Sequence, residues 1–538
     1  MCNAQFNTSV SKTEHNHQQR WHLIRIALTV ALGGFLMGFD ASVISGVVRF
    51  IQPEFGLTSL QLGWAVGSLT LTATLGMLTA GPLSDRFGRR AVLATAGVLY
   101  AVSAIGSALA PDFASFVLAR MVGGLGVGAS LIIAPMYIAE ISPARSRGKL
   151  VSLNQLNIVL GISAAFFSNY LILQWSQSDS AWAQTLMLDA HAWRWMLAVE
   201  TIPALLFLSG LLWVPQSPRW QIMRGLDKKA KQTLLRLFPS DAVEQQINDI
   251  RQNLQNDARN ATLPIRELLH PALRLVLIVG FVLAVLQQIT GINAVFFYAP
   301  TIFEQSGIGA DAAFMQAILV GLTNIVFTIV AMLLIDRLGR RPLLIGGMAG
   351  IALSMMILAY GFGSASYELS EERLTPLALA PEVMTLLAPL ESEVFSSDTR
   401  LRAALANALG EDMARDLDAE LITATITINP RLILFAILAF VASFAVSIGP
   451  VMWVMFSELF PLRVKGLAIS LAGFLNSATS FLVQLLFPVQ LAALGSSLTF
   501  LIYGLFAIFG LIFVWQVVPE TRRQSLEALE VRLTRAPS

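Results

Sequence analysis

The chain has 538 residues, 55% of them hydrophobic and only 13% charged, with a formal net charge of +2. Ordinary soluble domains carry about 25% charged residues, so this composition excludes a soluble globular fold. Most of the chain must be solvated by lipid, where only helices or closed barrels satisfy the backbone.

A polar stretch, 1–22, comes first. It lacks the apolar core and small-residue cleavage site of a signal peptide, so the run that follows it is expected to act as the first insertion signal. Apolar runs long enough to cross a bilayer, which takes about 20 residues, fall near 23–48, 60–83, 89–110, 113–138, 150–174 and 193–214. A polar loop, 215–271, separates these from six more runs near 272–299, 312–336, 341–362, 431–456, 466–490 and 496–517. The expected fold is all-α and polytopic: twelve transmembrane helices in two six-helix halves, 23–214 and 272–517, with a C-terminal tail at 518–538.

The halves are related. Asp85-Arg86-Phe87-Gly88-Arg89-Arg90 is echoed by Asp336-Arg337-Leu338-Gly339-Arg340-Arg341, and Glu140 to Gly148 by Glu458 to Gly466. A duplicated apolar chain points to a transporter built from repeats. Each glycine permits a tight turn between two helices. The charged residues at these helix ends, Asp85, Arg89, Glu140 and Arg147 in the first half and Asp336, Arg340, Glu458 and Arg463 in the second, are expected to form gating clasps whose ion pairs exist only when the inner mouth is closed. One such loop read alone is equally well a topology anchor; two at matched places favour the clasp.

Lys12, Lys149, Lys228, Lys229, Lys231 and Lys465 all fall on one face of a twelve-span count. By the positive-inside rule this face is cytoplasmic and holds both termini and the 215–271 loop. The lysines at 228–231 suit a helix at the inner leaflet better than nucleic acid. Cys2 is the only cysteine, so no intramolecular disulfide can form.

The spacing between the paired motifs is 251 residues for the first pair and 318 for the second, which places about 67 extra residues in the second half, at 363–430. The segment is acidic, and Leu401, Leu405, Leu409, Met413 and Leu417 recur every four residues. It is expected to be a small, passive, extracytoplasmic helical cap; a unit with its own core is disfavoured at this length.

These motifs, with Gly38-Phe39-Asp40, Arg120-Met121-Val122-Gly123-Gly124, Pro135 to Glu140, Pro215-Gln216-Ser217-Pro218-Arg219-Trp220, Gln287 to Asn293 (QQITGIN), Gly449-Pro450-Val451-Met452-Trp453 and Pro519-Glu520-Thr521-Arg522, carry a resemblance over nearly the whole chain outside 1–22 and 363–430. The sequence resembles the sugar porters of the major facilitator superfamily, most of all bacterial proton-coupled symporters of the xylose and galactose type. The resemblance implies a multi-pass protein of the bacterial inner membrane, monomeric, importing a monosaccharide with a proton by alternating access. A proton-independent facilitator and a non-transporting sugar sensor remain alternatives.

The resemblance makes Asp40 the proton-carrying residue and Arg120 its partner. An ionised carboxylate inside a membrane helix costs about 2.5–3.5 kcal/mol, so Asp40 needs a proton or a cation. Gln155, Gln287, Gln288, Asn293 and Asn324 fall where the family binds sugar hydroxyls, and amides supply donor and acceptor at once. Trp453 falls where an indole packs on the sugar ring. Three residues depart from the pattern: Ile162 replaces a sugar-contacting Gln, Ser477 replaces a Trp, and Gln216 replaces an acid of the inner clasp. No Walker-type loop, metal-ligand set or catalytic constellation is present, so neither an enzyme nor a cofactor is expected.

Overall fold

The structure is a computed structural model that describes residues 2–143, 146–260, 271–377, 379–391, 393–461 and 464–522. Its first helix, α1 (Cys2–Glu54), continues without a break from the polar N-terminal stretch into the membrane run. It is followed by α2 (Ser59–Phe87), α3 (Arg89–Ala108), α4 (Phe113–Ile141), α5 (Arg147–Ser176) and α6 (Leu188–Leu211). The second half holds α7 (Arg274–Phe297), α8 (Ala310–Leu338), α9 (Arg340–Gly363) and α10 (Pro430–Leu459). The element Lys465–Gln516 is two helices, α11 (465–494) and α12 (496–516), because Gly495 at φ 77°, ψ 171° breaks the helical path. Twelve spans result, as the hydropathy pattern indicates.

The halves repeat each other in packing as well as in sequence. Within the first, α1 packs on α5, α2 on α4 and α3 on α4; within the second, α7 packs on α11, α8 on α10 and α9 on α10. Between them, α2 packs against α11 and α8 against α5, which are equivalent pairs under the duplication. Three helices of the central segment, Pro218–Met223, Asp227–Leu237 and Ser240–Asn260, bury Ala230, Leu234, Leu237, Val243 and Ile247 in the core of the first half. Gln19 of α1 fastens them further, its Nε2 donating to the carbonyls of Leu235 and Phe238 at 3.0 Å each.

The insertion differs from its sequence expectation. It contains a three-stranded antiparallel sheet, in order β2-β1-β3, made of β1 (Ser366–Glu368), β2 (Val394–Phe395) and β3 (Ile426–Thr427). Around it lies a core of its own: Tyr367, Leu369, Leu374, Leu387, Phe395, Leu401, Leu405, Leu409, Leu421 and Ile422. The leucine stripe ends at Gly410, whose φ of 83° turns the chain, so Leu401, Leu405 and Leu409 are buried while Met413 is exposed. The segment gains stability by docking on the membrane helices. The Asp398 carboxylate accepts from the N–H of Ser496, the first residue of α12, at 3.0 Å, and Arg402 Nη1 donates to the Leu491 carbonyl at 3.1 Å.

Candidate substrate and proton site

Helix α1 brings Asp40 to the middle of the first half, where it is wholly buried. Arg120 of α4, equally buried, donates from Nη1 to Asp40 Oδ1 at 2.5 Å and to the Asp40 carbonyl at 3.2 Å. The glycines after Arg120 explain its motif: a Cβ on Gly123 would stand 2.9 Å from Asp40 Oδ2 and 2.4 Å from Ser103 Oγ. Asp40 Oδ2 and Arg120 Nε and Nη2 have no hydrogen-bond partner among the described residues, so the pair keeps capacity for a proton or a further partner. Sequence reasoning missed a third member. Glu200 of α6 is buried to the same degree and interacts electrostatically with both Asp40 and Arg120; its signal was a lone acid within an apolar run.

The amides assemble in the second half because α7 is broken. Gly291 adopts φ 90°, and a Cβ there would meet the Tyr503 ring at 2.7 Å, so only glycine suits the turn. The break places Asn293 beside the last turn that bears Gln287 and Gln288. Gln287 Nε2 donates to the Gly449 carbonyl at 3.0 Å, next to the break of α10 at Ser447. Its Oε1 accepts from Asn476 Nδ2 at 2.7 Å. Gln288 Nε2 donates to Asn476 Oδ1 at 3.2 Å, and Gln288 Oε1 accepts from Asn293 Nδ2 at 2.7 Å. Asn293 also donates to Ser480 Oγ at 2.6 Å. Asn476 and Ser480 of α11 are thus full members of the cluster, which the sequence reading overlooked.

Gln155, Asn324 and Trp453 stand apart from this cluster. Gln155 is exposed on α5. Helical spacing puts it on the face of Ile162, between Ile158, which touches α1 at Gly38, and Ser163, which touches α8 at Gly321; that face looks between the halves. Asn324 is buried on α8, and among the described residues it is not hydrogen-bonded to the amides of α7. Trp453 is 42% exposed, with its ring edge-on to Phe456 at 5.6 Å.

Each paired loop closes a cluster. Arg89 binds Asp85 at 2.9 Å and Glu140 at 3.0 Å; Arg340 binds Asp336 at 3.3 Å and Glu458 at 2.8 Å. A third echo completes both, since Ser217 Oγ donates to Glu140 and Thr521 Oγ1 donates to Glu458 at 2.6 Å. Gly88 and Gly339 sit at φ 96° and 100°. Each of these pairs lies within one half, so none of them spans the two halves. The Arg147 side chain is exposed and makes no ion pair among the described residues; Arg463 lies outside them.

The halves meet instead at the insertion end. Arg49 of α1 pairs with Glu304 at 2.7 Å, Gln177 donates to Asp311 at 3.0 Å, and a Cβ on Gly63 of α2 would fall 2.1 Å from the Leu485 carbonyl of α11. A cavity of about 420 Å³ lies above this seal, lined among others by Arg49, Glu304, Arg402 and Asp418. The two halves are therefore in direct contact at the insertion end.

The fold and this division of labour, a buried ion pair in one half and an amide cluster in the other, define a secondary transporter of the repeat-built kind. The family model for "Sugar (and other) transporter" matches residues 26–379 and 418–533, and the chain belongs to that family; the internal gap in the match, 380–417, is the middle of the insertion. The chain is 32% identical over 561 aligned positions to the D-xylose-proton symporter of Escherichia coli strain K12, covering 98% of this chain and 96% of that protein. It is 32% identical to the arabinose-proton symporter of Bacillus subtilis, covering 94% of each. Among solved structures, the inward-open conformation of the xylose transporter XylE from E. coli matches with a TM-score of 0.71 at 30% identity, covering 95% of this chain and 99% of that one. The protein is an integral, multi-pass membrane protein.

Proposed function

We propose that this protein imports a monosaccharide together with a proton by alternating access. The observation that carries the reading is the buried Asp40–Arg120 pair facing Glu200 in one half, combined with the amide cluster at the break of α7 in the other. The relatives named above, a D-xylose-proton symporter and an arabinose-proton symporter, agree with both parts.

In this mechanism Asp40 either pairs with Arg120 or holds a proton, and the choice shifts the balance between conformers. Gln287, Gln288, Asn293 and Asn476 offer donors and acceptors to sugar hydroxyls, joined by Gln155 and Trp453 as the halves close around the substrate. Asn324 contributes from α8. The loop clusters around Arg89 and Arg340 act as rigid braces of each half, so that closure at the loop end moves whole blocks. The loop end is assigned to the cytoplasm of a bacterial cell and the insertion to the outside, on the lysine distribution; the carrier acts as a monomer. The substrate is a pentose or hexose.

The experiment is a sugar panel on reconstituted vesicles with a pH indicator. Uptake of at least one monosaccharide accompanied by alkalinisation of the donor side is expected. Uptake without proton movement identifies a facilitator, and binding without uptake a sensor.

A further inference from the structure

The amide cluster does not end at the sugar site. Gln484 is wholly buried, two turns along α11 from Asn476 and one from Ser480. Its Nε2 donates to Ser480 Oγ at 2.8 Å, and its Oε1 accepts from Thr70 Oγ1 at 2.9 Å. Thr70 belongs to α2, in the opposite half, two turns from Gly63 and one from Gly67, where α2 lies against Leu485 and Phe481. The backbone carbonyl of Gln484 accepts from Tyr298 OH at 3.2 Å, so the residue is held on both sides. A continuous chain of short bonds therefore runs from Gln288 through Asn293, Ser480 and Gln484 to Thr70.

We propose that Gln484 is a positioning residue that couples occupancy of the sugar site to closure of the insertion end, with Thr70–Gln484 as the bond that breaks when that end opens. The physical reason is accounting of donors and acceptors. Parting α2 from α11 strips the wholly buried Oε1 of Gln484 of its donor, and an acceptor left unmet costs about 1–3 kcal/mol. A sugar hydroxyl that engages Asn293 or Gln288 competes for the bonds these residues make with Ser480 and with each other, freeing Ser480 to reorient and altering the hold on Gln484. Site and seal thus draw on one set of hydrogen bonds. The Gln484–Thr70 contact is distinct from the ion pair of Arg49 and Glu304, which closes the same end without touching the amides.

The inference rests on the sugar-transport reading above only for the ligand; the latch itself is tested without sugar. In a Cys2→Ser background, Val66→Cys puts a thiol on α2 at a position that is 1% exposed in the closed structure, one turn from Thr70. Thr70→Val and Gln484→Leu remove the two ends of the bond. Each is expected to raise the rate of thiol modification by about 5–150-fold, the factor that 1–3 kcal/mol represents, and the double variant to raise it no further than the larger single effect. Unchanged rates, or effects that multiply in the double variant, overturn the latch. If the latch holds, saturating xylose, arabinose or glucose, whichever the uptake panel selects, should change the modification rate in the Val66→Cys protein and not in the Gln484→Leu version. An equal sugar response in both overturns the coupling. Circular dichroism and elution volume of each variant confirm that the fold is intact. A protein that transports none of the panel sugars yet shows the non-additive thiol result would refute the transport reading alone.

Discussion

Replacing Asp40 by Asn removes the proton and spares the geometry. In the structure Asp40 Oδ1 accepts from Arg120 Nη1 at 2.5 Å with both side chains closed to solvent. An Asn carbonyl oxygen accepts at the same place, so the hydrogen bond to Arg120 is kept and its charge-assisted part, about 1 kcal/mol, is lost. Asp40→Ala is harsher, because a buried cation losing its partner costs about 3–5 kcal/mol. The Asn variant should therefore fold, bind sugar and exchange it, while energetic coupling vanishes entirely. One proton crossing 100 mV releases about 2.3 kcal/mol, which at about 1.4 kcal/mol per decade sustains roughly a fifty-fold sugar gradient. The assay measures labelled-sugar accumulation in vesicles under an imposed potential and pH gradient, beside counterflow at zero gradient. Wild type should accumulate by tens-fold and the Asn variant should stop at equality, with counterflow retained. Proton-dependent accumulation by the Asn variant would refute the assignment of Asp40, as would loss of counterflow in a folded, sugar-binding protein.

Gln288→Ala should weaken sugar binding ten- to a hundred-fold by calorimetry, since truncation leaves Asn293 and Asn476 without a shared partner at about 1–3 kcal/mol; unchanged affinity removes Gln288 from the site. Gln216→Glu should raise the melting temperature modestly. Gln216 accepts one backbone N–H at the start of α3, from Arg90 at 3.3 Å, whereas its repeat counterpart Glu520 accepts two at the start of α9, and an acid at a helix N-terminus contributes about 0.3–1 kcal/mol. Burial pushes the Glu304 carboxyl above the usual carboxylate range, with Arg49 opposing. A raised value in the closed state favours closure most below the ordinary carboxylate range, and the contribution is lost as pH rises through the raised value. Spin-label distances across the insertion end should therefore shorten on acidification, and Glu304→Gln should abolish this pH response while keeping the end closed. Asp398→Ala removes an acceptor from the N-terminus of α12 and should lower stability by about 1 kcal/mol in thermal unfolding; no change would mean that the insertion is not load-sharing with α12.

Much of this architecture was legible in the sequence because hydropathy in a bilayer is a coarse, strong signal. The twelve runs and the boundary between α11 and α12 followed from run length alone. The duplicated loops followed from identity of motif. The insertion was misjudged for an equally physical reason: strands of two or three residues are too short to show alternation, and packing against Glu304, Gly307, α11 and α12 supplies contacts that length alone does not reveal. Asn476, Ser480 and Gln484 recur every four residues within an apolar run, a polar stripe that the emphasis on motifs passed over. Glu200 was visible as an acid in a membrane helix but had no motif around it. That each loop arginine meets acids of its own half was illegible, because a motif does not say which helix ends lie together.

The proposed proton site and the amide cluster lie in different halves, so symport by them demands a rigid path between the two. Helix α1 carries Asp40, and at Gly38, two residues earlier, its backbone lies so near α5 that a Cβ would fall 2.0 Å from the Ile158 carbonyl. The contact is reciprocal, since a Cβ on Gly161 of α5 would fall 2.0 Å from the Phe35 carbonyl. Backbones that touch at two points move as one body, which is why small residues recur at membrane helix contacts. Helix α5 in turn bears Gln155 and meets α8 where Ser163 crowds Gly321. Under the proposed mechanism, a shift of α1 on protonation of Asp40 would carry α5 with it and so alter the contact of α5 with α8 and the position of Gln155 relative to the amides. In the proposed mechanism the glycine two places before the acid therefore shares in the coupling, because it ties the helix that bears Asp40 to the helix that bears Gln155.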